Sequence, residues 1–403
     1  MLFGQTVMAF IPDAAHLPAG LPLSAPVEAG ILTPALVIDL DAVEANITAT
    51  LRLLGGDAGR WQPHVKTAKL ARVMAALCAR GVLHCKTATT LEALTACQAG
   101  FQEVLLAFPA EGPRGQRLRE LAAAYPAVSL AATVEHPAQV AAWRGSRVAL
   151  YIDVNCGMDR TGIELSRQAE ITALAAAIRA AGVRFAGLHA YEGHLQDADL
   201  AARAAAAHGA YGKILALALH LAAQGLPPPT IITSGTPALP GALSFPGFQS
   251  AGLVHRVSAG TVVYGDLTSQ LQLPAEWGYG LAAWVLTTVV SHPAPGIATC
   301  DAGHKTVSAD AGLPNCAVAG RPELEPLRPS EEHLPLRVAP GAALPALGQR
   351  LYLAPRHVCP TVNNFDQAIL VRAGQIVALE PVTARGRESP LALAPQRPAA
   401  PRS

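Results

Sequence analysis

The sequence predicts an α/β protein, a (β/α)8 TIM-type barrel followed by a C-terminal all-β domain. Two observations carry this prediction. From residue 33 to about residue 270, short apolar runs alternate with alanine-rich helical stretches, several of which end at a glycine. Beyond about residue 270 the helical stretches stop, and short β-like runs are separated by proline and glycine. The chain therefore divides into an N-terminal arm at 1–32, the barrel at 33–270, the β domain at 271–383 and a disordered tail at 384–403.

The individual elements are predicted from apolar runs and from residues that start or stop helices. The run at 35–39 predicts a first strand of the barrel, and 41–54 predicts a helix with Asp41 as its N-cap. Further barrel strands are predicted at 61–66, 83–86, 104–108, 128–133, 148–154, 185–189 and 231–233, and helices at 68–80, 90–99, 167–181 and 198–224. The β domain contains strand-like runs at 284–290, 296–301, 351–354 and 368–372.

Composition and charge exclude several classes of protein. Hydrophobic residues make up 51% of the chain and charged residues 15%, which supplies a large core and rules out global disorder. The net charge of +1 argues against a nucleic-acid partner. No run of about 18 apolar residues occurs, so no membrane span is expected. The start lacks a basic segment before its apolar run, and the seven cysteines contain no CxxC pair, which indicates a reducing, cytoplasmic location.

Lysine is rare in this sequence, and one lysine lies where a barrel enzyme would use it. The five lysines are Lys66, Lys69, Lys86, Lys213 and Lys305. Lys66 lies at the end of an early strand, and in a barrel the carboxyl ends of the strands carry the active site. A lysine desolvated there can lose its proton and bond covalently to a carbonyl carbon. From its position alone, Lys66 is either such a group or an ordinary surface lysine.

The segments TPALVIDLDAVEANI at 33–47 and PHVKT at 63–67 resemble the alanine racemase-like barrel enzymes that use pyridoxal phosphate (PLP). Within that family they are most similar to the D-serine dehydratase and D-threonine aldolase group, although Gln62 replaces the arginine that typically precedes the lysine motif. Further motifs resemble the family in the same order, at 87–93, 153–162, 187–194, 234–237 and 259–261, the last followed by Asp266. The ordered set is far more specific than any single motif.

The resemblance implies a cofactor site at the barrel mouth. Lys66 would bind PLP covalently and, once substrate has displaced it, remove the α-proton as the catalytic base. The other cofactor-binding residues would be His64, Arg160, Tyr191, Ser234, Gly235, Thr236, Gly260 and Thr261. The last five suit a phosphate cradle, because glycine lets the backbone approach and hydroxyls donate to the oxygens. Without the lysine motif, two ordinary turns are the more expected explanation of these five residues. Arg160 could equally form a salt bridge in its loop, Tyr191 could equally be a core side chain, and His64 could pack in the barrel.

A second group of candidate residues lies in the β domain, in PRHVCPTVN at 355–363. In an extended segment, residues i and i+2 point to one side, so His357 and Cys359 can ligate one metal ion. On spacing alone, a free cysteine beside a histidine is the commoner explanation. The resemblance implies a metal site, since D-serine dehydratases hold zinc through such a pair, whereas D-threonine aldolases are expected to have an oxygen ligand in place of Cys359. A thiolate favours zinc, with manganese as the alternative ion, and Cys359 therefore favours a dehydratase.

The predicted function is that of a PLP- and metal-dependent lyase acting on D-3-hydroxy amino acids. A dehydratase would release a 2-oxo acid and ammonia, and the alternative, a D-threonine aldolase, would release glycine and an aldehyde. A racemase is less expected, because it needs an opposing tyrosine and the one tyrosine beyond residue 280, Tyr352, lacks the family's surrounding motif. A non-enzymatic PLP-binding protein would usually lack the β domain. The resemblance implies a homodimer, and it leaves the roles of His194, Asp301 and residues 331–333 open.

Overall fold

A computed structural model describes Leu23 and residues 25–390 of the chain. Its strands are β1 (Ala35–Asp39), β2 (His84–Thr87), β3 (Glu103–Pro109), β4 (Ser129–Val134), β5 (Ala149–Asn155), β6 (Ile163–Glu164), β7 (Phe185–Ala190), β8 (Thr230–Thr233), β9 (Val254–Val257), β10 (Ala283–Ala294), β11 (Ile297–Cys300), β12 (Cys316–Val318), β13 (Leu324–Pro326), β14 (Leu334–Val338), β15 (Arg350–Pro355), β16 (Gln367–Arg372) and β17 (Gln375–Pro381). The helices are α1 (Ala25–Glu28), α2 (Leu40–Leu53), α3 (Ala71–Ala79), α4 (Thr90–Ala99), α5 (Gly112–Ala124), α6 (Pro137–Val140), α7 (Gln168–Ala180), α8 (Leu200–Ala223), α9 (Leu239–Ser244), α10 (Gly247–Ser250), α11 (Leu267–Gln272) and α12 (Val358–Asn363), with 3₁₀ turns at Ala58–Arg60, Ala141–Trp143, Thr261–Val263 and Ala275–Trp277.

The first part of the chain forms a curled parallel sheet with helices between its strands. The strand order is β2-β3-β4-β5-β7-β8-β9, and the short β6 pairs with β5. An irregular segment at 61–65 bridges the two edges of this sheet. Trp61 pairs with Val257 of β9 and His64 with Lys86 of β2, both in parallel register. This geometry is consistent with the predicted closed barrel, in which the bridging segment would take the eighth position.

The predicted position of the first strand is wrong. β1 does not join the parallel sheet but lies in the C-terminal sheet, antiparallel to β10 and parallel to β16. The run Ala35–Asp39 is apolar enough to be buried in either sheet, so its composition does not specify its partners. The helix that follows is capped by Asp39 and not by Asp41, because the Asp39 carboxylate accepts hydrogen bonds from the backbone N–H groups of Asp41 and Ala42.

The C-terminal part of the chain is built mostly of strands, as predicted. Its strands follow the order β13-β14-β11-β10-β1-β16-β17, while β15 pairs with both β10 and β12. All of these pairs except β1–β16 are antiparallel. Strands β12, β13, β14 and β17 were not predicted, since the first two have three residues each and carry little periodic signal.

The two ends of the described chain are more ordered than predicted. Within the arm predicted at 1–32, Leu23 is buried and Ala25–Glu28 forms α1; residues 1–22 and 24 lie outside the described residues. The predicted disordered tail begins too early, because Ala384 is fully buried and its N–H donates to the Lys69 carbonyl at 2.9 Å. Glu388 also pairs with Arg117 at 2.8 Å. The remainder of that tail, 391–403, lies outside the described residues.

Across residues 25–390, none of the helices combines the length and the apolar character needed to cross a membrane.

Candidate active site

A cavity of about 720 Å³ opens at the carboxyl ends of the parallel strands. In a parallel α/β sheet these strand ends meet on one face, which is where side chains from distant segments converge. The predicted residues that line the cavity are His64, Lys66, Tyr191, Gly235, Thr236, Gly260, Thr261, His357 and Cys359. Two predicted residues are not among its lining residues, Ser234 and Arg160. The structure therefore brings most of the predicted cofactor residues and both predicted metal ligands to one space.

The loop that carries Lys66 is fixed on both sides. The N–H of Val65 donates to the Lys86 carbonyl at 2.9 Å, which ties the loop to β2. Three residues after Lys66, Lys69 has a positive φ of 51°, and its buried ammonium pairs with Glu92 at 2.9 Å. Glu92 also accepts the N–H of Ala88 at 2.7 Å. The motif at 87–93 thus has a structural role, because its glutamate holds the loop of the predicted catalytic lysine.

The segments at 234–236 and 260–261 have the properties of an anion cradle. The hydroxyls of Ser234 and Thr236 are buried, and neither has a hydrogen-bond partner among the described residues. A Cβ at Gly260 would lie 2.2 Å from the His64 carbonyl oxygen, and one at Gly235 would lie 2.7 Å from the Tyr191 ring. Position 260 therefore requires glycine, whereas a Cβ at Gly235 would force the Tyr191 ring to move. The unpartnered hydroxyls fit the oxygens of a phosphate group.

One feature of this cradle was not predicted. The backbone N–H of Ser234 donates to the Glu192 carboxylate at 3.0 Å, so this N–H is engaged by the protein itself. Burial raises the pKa of Glu192 to about 7, although hydrogen bonds and the charge of Lys86 act in the opposite direction. Glu192 lies inside the motif at 187–194, and a carboxyl group just beyond the carboxyl end of a predicted strand is the signal that could have identified it.

Arg160 and Tyr191 contact each other, but they differ in position. The Arg160 guanidinium carbon lies 4.9 Å from the centroid of the Tyr191 ring. Tyr191 lines the main cavity, whereas Arg160 is exposed and lines a small adjoining cleft with Asp153 and Thr161. Arg160 therefore contacts the Tyr191 ring, which lines the cavity, but it does not line the cavity itself. A direct contact between Arg160 and the cofactor stays a prediction.

A buried chain of three polar residues lies beside Lys66 and was missed by the sequence reasoning. The Lys86 amine lies 3.0 Å from His189 Nε2, and His189 Nδ1 lies 2.7 Å from an Asp153 carboxylate oxygen. Burial, with the charge of Lys66, lowers the pKa of Lys86 to about 7. Burial and the same two lysines hold the pKa of His64 well below its usual range. Charged residues inside strands predicted to be buried are the signal that could have revealed these three hydrogen-bonded residues.

A second missed residue, Arg203 of α8, holds three walls of the cavity together. The residue is 2% exposed, and its guanidinium donates to the carbonyl oxygens of Asp197, Pro237 and Gln272. Those carbonyls belong to the segments that contribute Gln196, Thr236 and Leu271 to the cavity lining. Arg203 thus connects three segments of the cavity wall without lining the cavity itself.

The predicted metal pair lies at the start of α12, and its backbone differs from the prediction. His357 has an extended backbone, but Cys359 lies in the first turn of the helix, where Pro360 is compatible with helical geometry. The two side chains still meet. Burial lowers the pKa of His357, but the hydrogen bond and charge of Cys359 outweigh it and raise that pKa to about 9. Burial raises the pKa of Cys359, yet contact with His357 lowers it overall, as expected of a thiolate–imidazolium pair.

Cys359 also connects the strand-rich C-terminal region to the parallel-sheet side of the cavity. Its sulfur lies 2.9 Å from Thr67 Oγ1 and 3.7 Å from Thr261 Oγ1. Within the described part of the chain, no group of three or more His, Cys, Asp or Glu side chains is arranged to hold one metal ion. An ion on His357 and Cys359 would therefore take its other ligands from water or substrate.

The motifs whose roles were left open lie outside the cavity lining. Asp301 accepts hydrogen bonds from the hydroxyls of Thr33 and Thr287, both at 2.6 Å, and so connects the start of the chain to the β domain. Glu331 and Glu332 both pair with Lys305 on an exposed loop. His194 lies beside Gly157, where a Cβ would be 3.1 Å from its ring nitrogen.

Comparison with known protein families covers both parts of the chain. Residues 38–268 match the model of the alanine racemase N-terminal domain, and residues 282–371 match that of the putative serine dehydratase domain. These matches, on a curled parallel sheet followed by a strand-rich region, define a fold-type III PLP enzyme. The chain belongs to the alanine racemase N-terminal family, and within it to the lyases that carry a serine dehydratase-type domain.

Known relatives extend over almost the whole chain. A D-threonine aldolase from Arthrobacter sp. is 32% identical over 394 residues, which span 91% of this chain and 97% of the relative. The crystal structure of D-threonine aldolase from Filomicrobium marinum aligns with a TM-score of 0.79 and 30% identity, over 90% of this chain and 97% of that one. The D-threo-3-hydroxyaspartate dehydratase from Delftia sp. HT23 aligns with a TM-score of 0.75 and 26% identity, over 89% and 99%. A cysteine-to-alanine mutant of a D-threo-3-hydroxyaspartate dehydratase, solved in a metal-free form, aligns with a TM-score of 0.72 and 25% identity, over 89% of this chain and 99% of that one.

Proposed function

We propose that this chain is a PLP- and divalent-metal-dependent lyase that acts on D-3-hydroxy amino acids, with dehydration as its reaction. The observation that carries the proposal is the meeting of the predicted cofactor lysine and the predicted metal pair in one cavity. Thr67, the residue after Lys66, lies 2.9 Å from the sulfur of Cys359. One substrate can therefore contact the cofactor on Lys66 and the metal ion on His357 and Cys359 at the same time.

The residues of the cavity fit PLP. When bound, PLP supplies an electron sink for the negative charge that develops at the substrate α-carbon. Lys66 offers the amine that would hold the cofactor, and it would then take up the α-proton. The unpartnered hydroxyls of Ser234 and Thr236 and the close backbone approach at Gly260 suit the phosphate group. Tyr191, against the cradle at Gly235, would cover the cofactor ring.

The residues at the start of α12 fit a divalent metal ion. When bound, such an ion supplies a Lewis acid for the hydroxyl group of the substrate. His357 and Cys359 would hold it, and a nitrogen and sulfur donor set favours zinc, with manganese as the alternative. Thr67 and Thr261 contact the Cys359 sulfur from the barrel side and so orient it.

Dehydration and aldol cleavage are alternative outcomes of the same site. In dehydration, Lys66 takes the proton from the α-carbon and hydroxide leaves the β-carbon. In aldol cleavage, the hydroxyl proton is lost and the bond between the α- and β-carbons breaks. Cys359 supports dehydration, as do the Delftia dehydratase and the metal-free cysteine-to-alanine mutant of a D-threo-3-hydroxyaspartate dehydratase. The aldolase alternative is supported by 32% identity to the Arthrobacter enzyme.

Product analysis separates these outcomes. The purified protein, supplied with PLP and zinc, is incubated with D-threonine, and a chelator-treated sample and Lys66→Ala serve as controls. We expect 2-oxobutyrate and equimolar ammonia, lost in both controls. Glycine and acetaldehyde would instead assign the aldolase, and Cys359 would then not determine the reaction. Absence of all four products would reject D-threonine as substrate, and D-serine and 3-hydroxyaspartate would be assayed next.

The proposal includes a cytoplasmic homodimer, which follows from the cysteine pattern and from the family resemblance. Light scattering of the purified protein measures the mass directly, and a value near 41.6 kDa would contradict the dimer.

A further inference from the structure

We propose that Asp310, held in place by Ser308, is a positioning residue that orients His357 toward Cys359 and the metal ion. This inference rests on the proposed metal-dependent function. Asp310 and Ser308 lie in the loop between β11 and β12, which packs against the start of α12. Asp310 lines the cavity together with His357 and Cys359.

The carboxylate of Asp310 is engaged at both oxygens. One oxygen lies 2.7 Å from His357 Nδ1, and the other accepts the Ser308 hydroxyl at 2.8 Å. A carboxylate in this position accepts from a proton-bearing nitrogen, so Asp310 keeps a proton on His357 Nδ1. A bound metal ion would displace the proton from the second ring nitrogen, Nε2, which would then be the ligand atom. A histidine that binds metal commonly donates its other N–H to a carboxylate in this way, which fixes both the tautomer and the ring orientation.

The same loop also holds the backbone of His357. The Ser308 N–H donates to the Thr361 hydroxyl at 3.2 Å, and that hydroxyl donates to the His357 carbonyl at 2.9 Å. Ser308, Asp310, His357 and Thr361 thus form a closed ring of hydrogen bonds. Through these hydrogen bonds, the loop at 308–310 holds both the imidazole and the main chain of His357. The His357 side chain is therefore restricted to one orientation.

Asp310 is placed to act through His357 and not as a ligand. In the described part of the chain, no three ligating side chains converge on one point, so Asp310 does not complete a three-residue set with His357 and Cys359. The competing explanation is an exposed ion pair between Asp310 and a protonated His357. That explanation predicts that loss of Asp310 leaves metal affinity unchanged or raises it, because a carboxylate that only stabilises the imidazolium favours the proton over the metal. An orienting carboxylate instead increases metal affinity, so its loss weakens binding.

Direct metal binding tests the proposal without recourse to activity. Metal-free protein with PLP bound is titrated with zinc against a chromophoric chelator, and with cobalt, whose visible spectrum reports thiolate ligation and geometry. We expect Asp310→Ala to weaken zinc binding by about 10- to 100-fold. Asp310→Asn should weaken it less, because the amide oxygen still accepts from Nδ1, and Ser308→Ala should fall between wild type and Asp310→Ala.

The controls separate failure of this inference from failure of the proposed function. Asp366→Ala removes an exposed carboxylate that pairs with Arg385, and its zinc affinity should equal that of the wild type. If His357→Ala and Cys359→Ala retain zinc, the metal site itself is wrong. If they lose zinc while Asp310→Ala keeps wild-type affinity and cobalt spectrum, the metal site stands and the role of Asp310 is refuted. Loss of zinc in Asp310→Ala as complete as in Cys359→Ala would make Asp310 a ligand and would also overturn the positioning role.

Discussion

Replacement of Gly260 by alanine should damage the predicted phosphate cradle more than any change of equal size elsewhere in it. The added Cβ would lie 2.2 Å from the His64 carbonyl oxygen and 3.0 Å from the carbonyl carbon. Ordinary contacts begin at 3.4 Å, so the segment at 260–261 and the segment that leads to Lys66 must separate by about 1 Å. The obstacle is backbone, which cannot rotate away as a side chain would.

The cost of such overpacking is about 1–3 kcal/mol, and the backbone contact places Gly260→Ala at the upper end. If the strain is relieved by opening the cradle, PLP affinity should fall by up to about 100-fold, since about 1.4 kcal/mol corresponds to a factor of ten. Spectrophotometric titration of the cofactor-free protein with PLP measures this. Gly209→Ala is the matched control, because its Cβ would meet no atom within 4 Å in α8. Wild-type PLP affinity and an unchanged unfolding midpoint for Gly260→Ala would refute the reasoning.

Three further changes test other parts of the site. Lys66→Ala should abolish the visible absorption band of bound PLP, and a retained band would move the attachment to another lysine, with buried Lys86 the nearest candidate. Cys359→Ala should lower metal content and activity together while PLP stays bound, and unchanged activity would exclude the metal role. Lys86→Met should flatten the rise of stability with pH. Because burial and the charge of Lys66 lower the pKa of Lys86 from 10.5 to about 7, the unfolded chain binds more protons between these values, and stability rises with pH there by up to about 1.4 kcal/mol per unit. Urea unfolding from pH 7 to pH 9 measures the slope, and an unchanged slope in Lys86→Met would contradict this account.

Much of the parallel sheet could be predicted from local signals. The helix predicted at 90–99 occupies the same residues in the structure, because Thr89 caps its start and Gly100 ends it with a φ of 106°. The strands predicted at 104–108 and 185–189 were right to within one residue at each end, since each follows a helix that ends at or near a glycine, Gly100 or Gly182. β9, at Val254–Val257, was missed because its four residues include a histidine and an arginine.

The site was predictable only where neighbouring residues form a motif. Lys66 and the pair of His357 and Cys359 each stand in a recognisable segment, and the cavity brings these segments together. Lys86 and Asp310 lack such a segment, because their roles depend on contacts with residues far away in the chain. Lys86 meets His189 and Asp153 only because β2, β7 and β5 direct these side chains to the same side of the curled sheet. Asp310 meets His357 only because its loop folds onto α12.

The position of β1 has a consequence for how the chain is synthesised. Leu36, Val37 and Ile38 are almost fully buried in the finished protein, yet their partner strands β10 and β16 are made much later. On the ribosome, this apolar strand leaves the exit tunnel early and stays uncovered until the C-terminal sheet emerges. It is therefore a segment that a nascent chain must shield.

The same pairing makes the two family-matched regions inseparable. A fragment that ends after residue 268 would expose β1, and a fragment that begins at residue 282 would lack the strand between β10 and β16. The boundary seen in sequence comparison is thus not a boundary of folding. Exchange of the C-terminal region between relatives would have to preserve both strands that pair with β1, which couples the strand-rich region to the segment that precedes the parallel sheet.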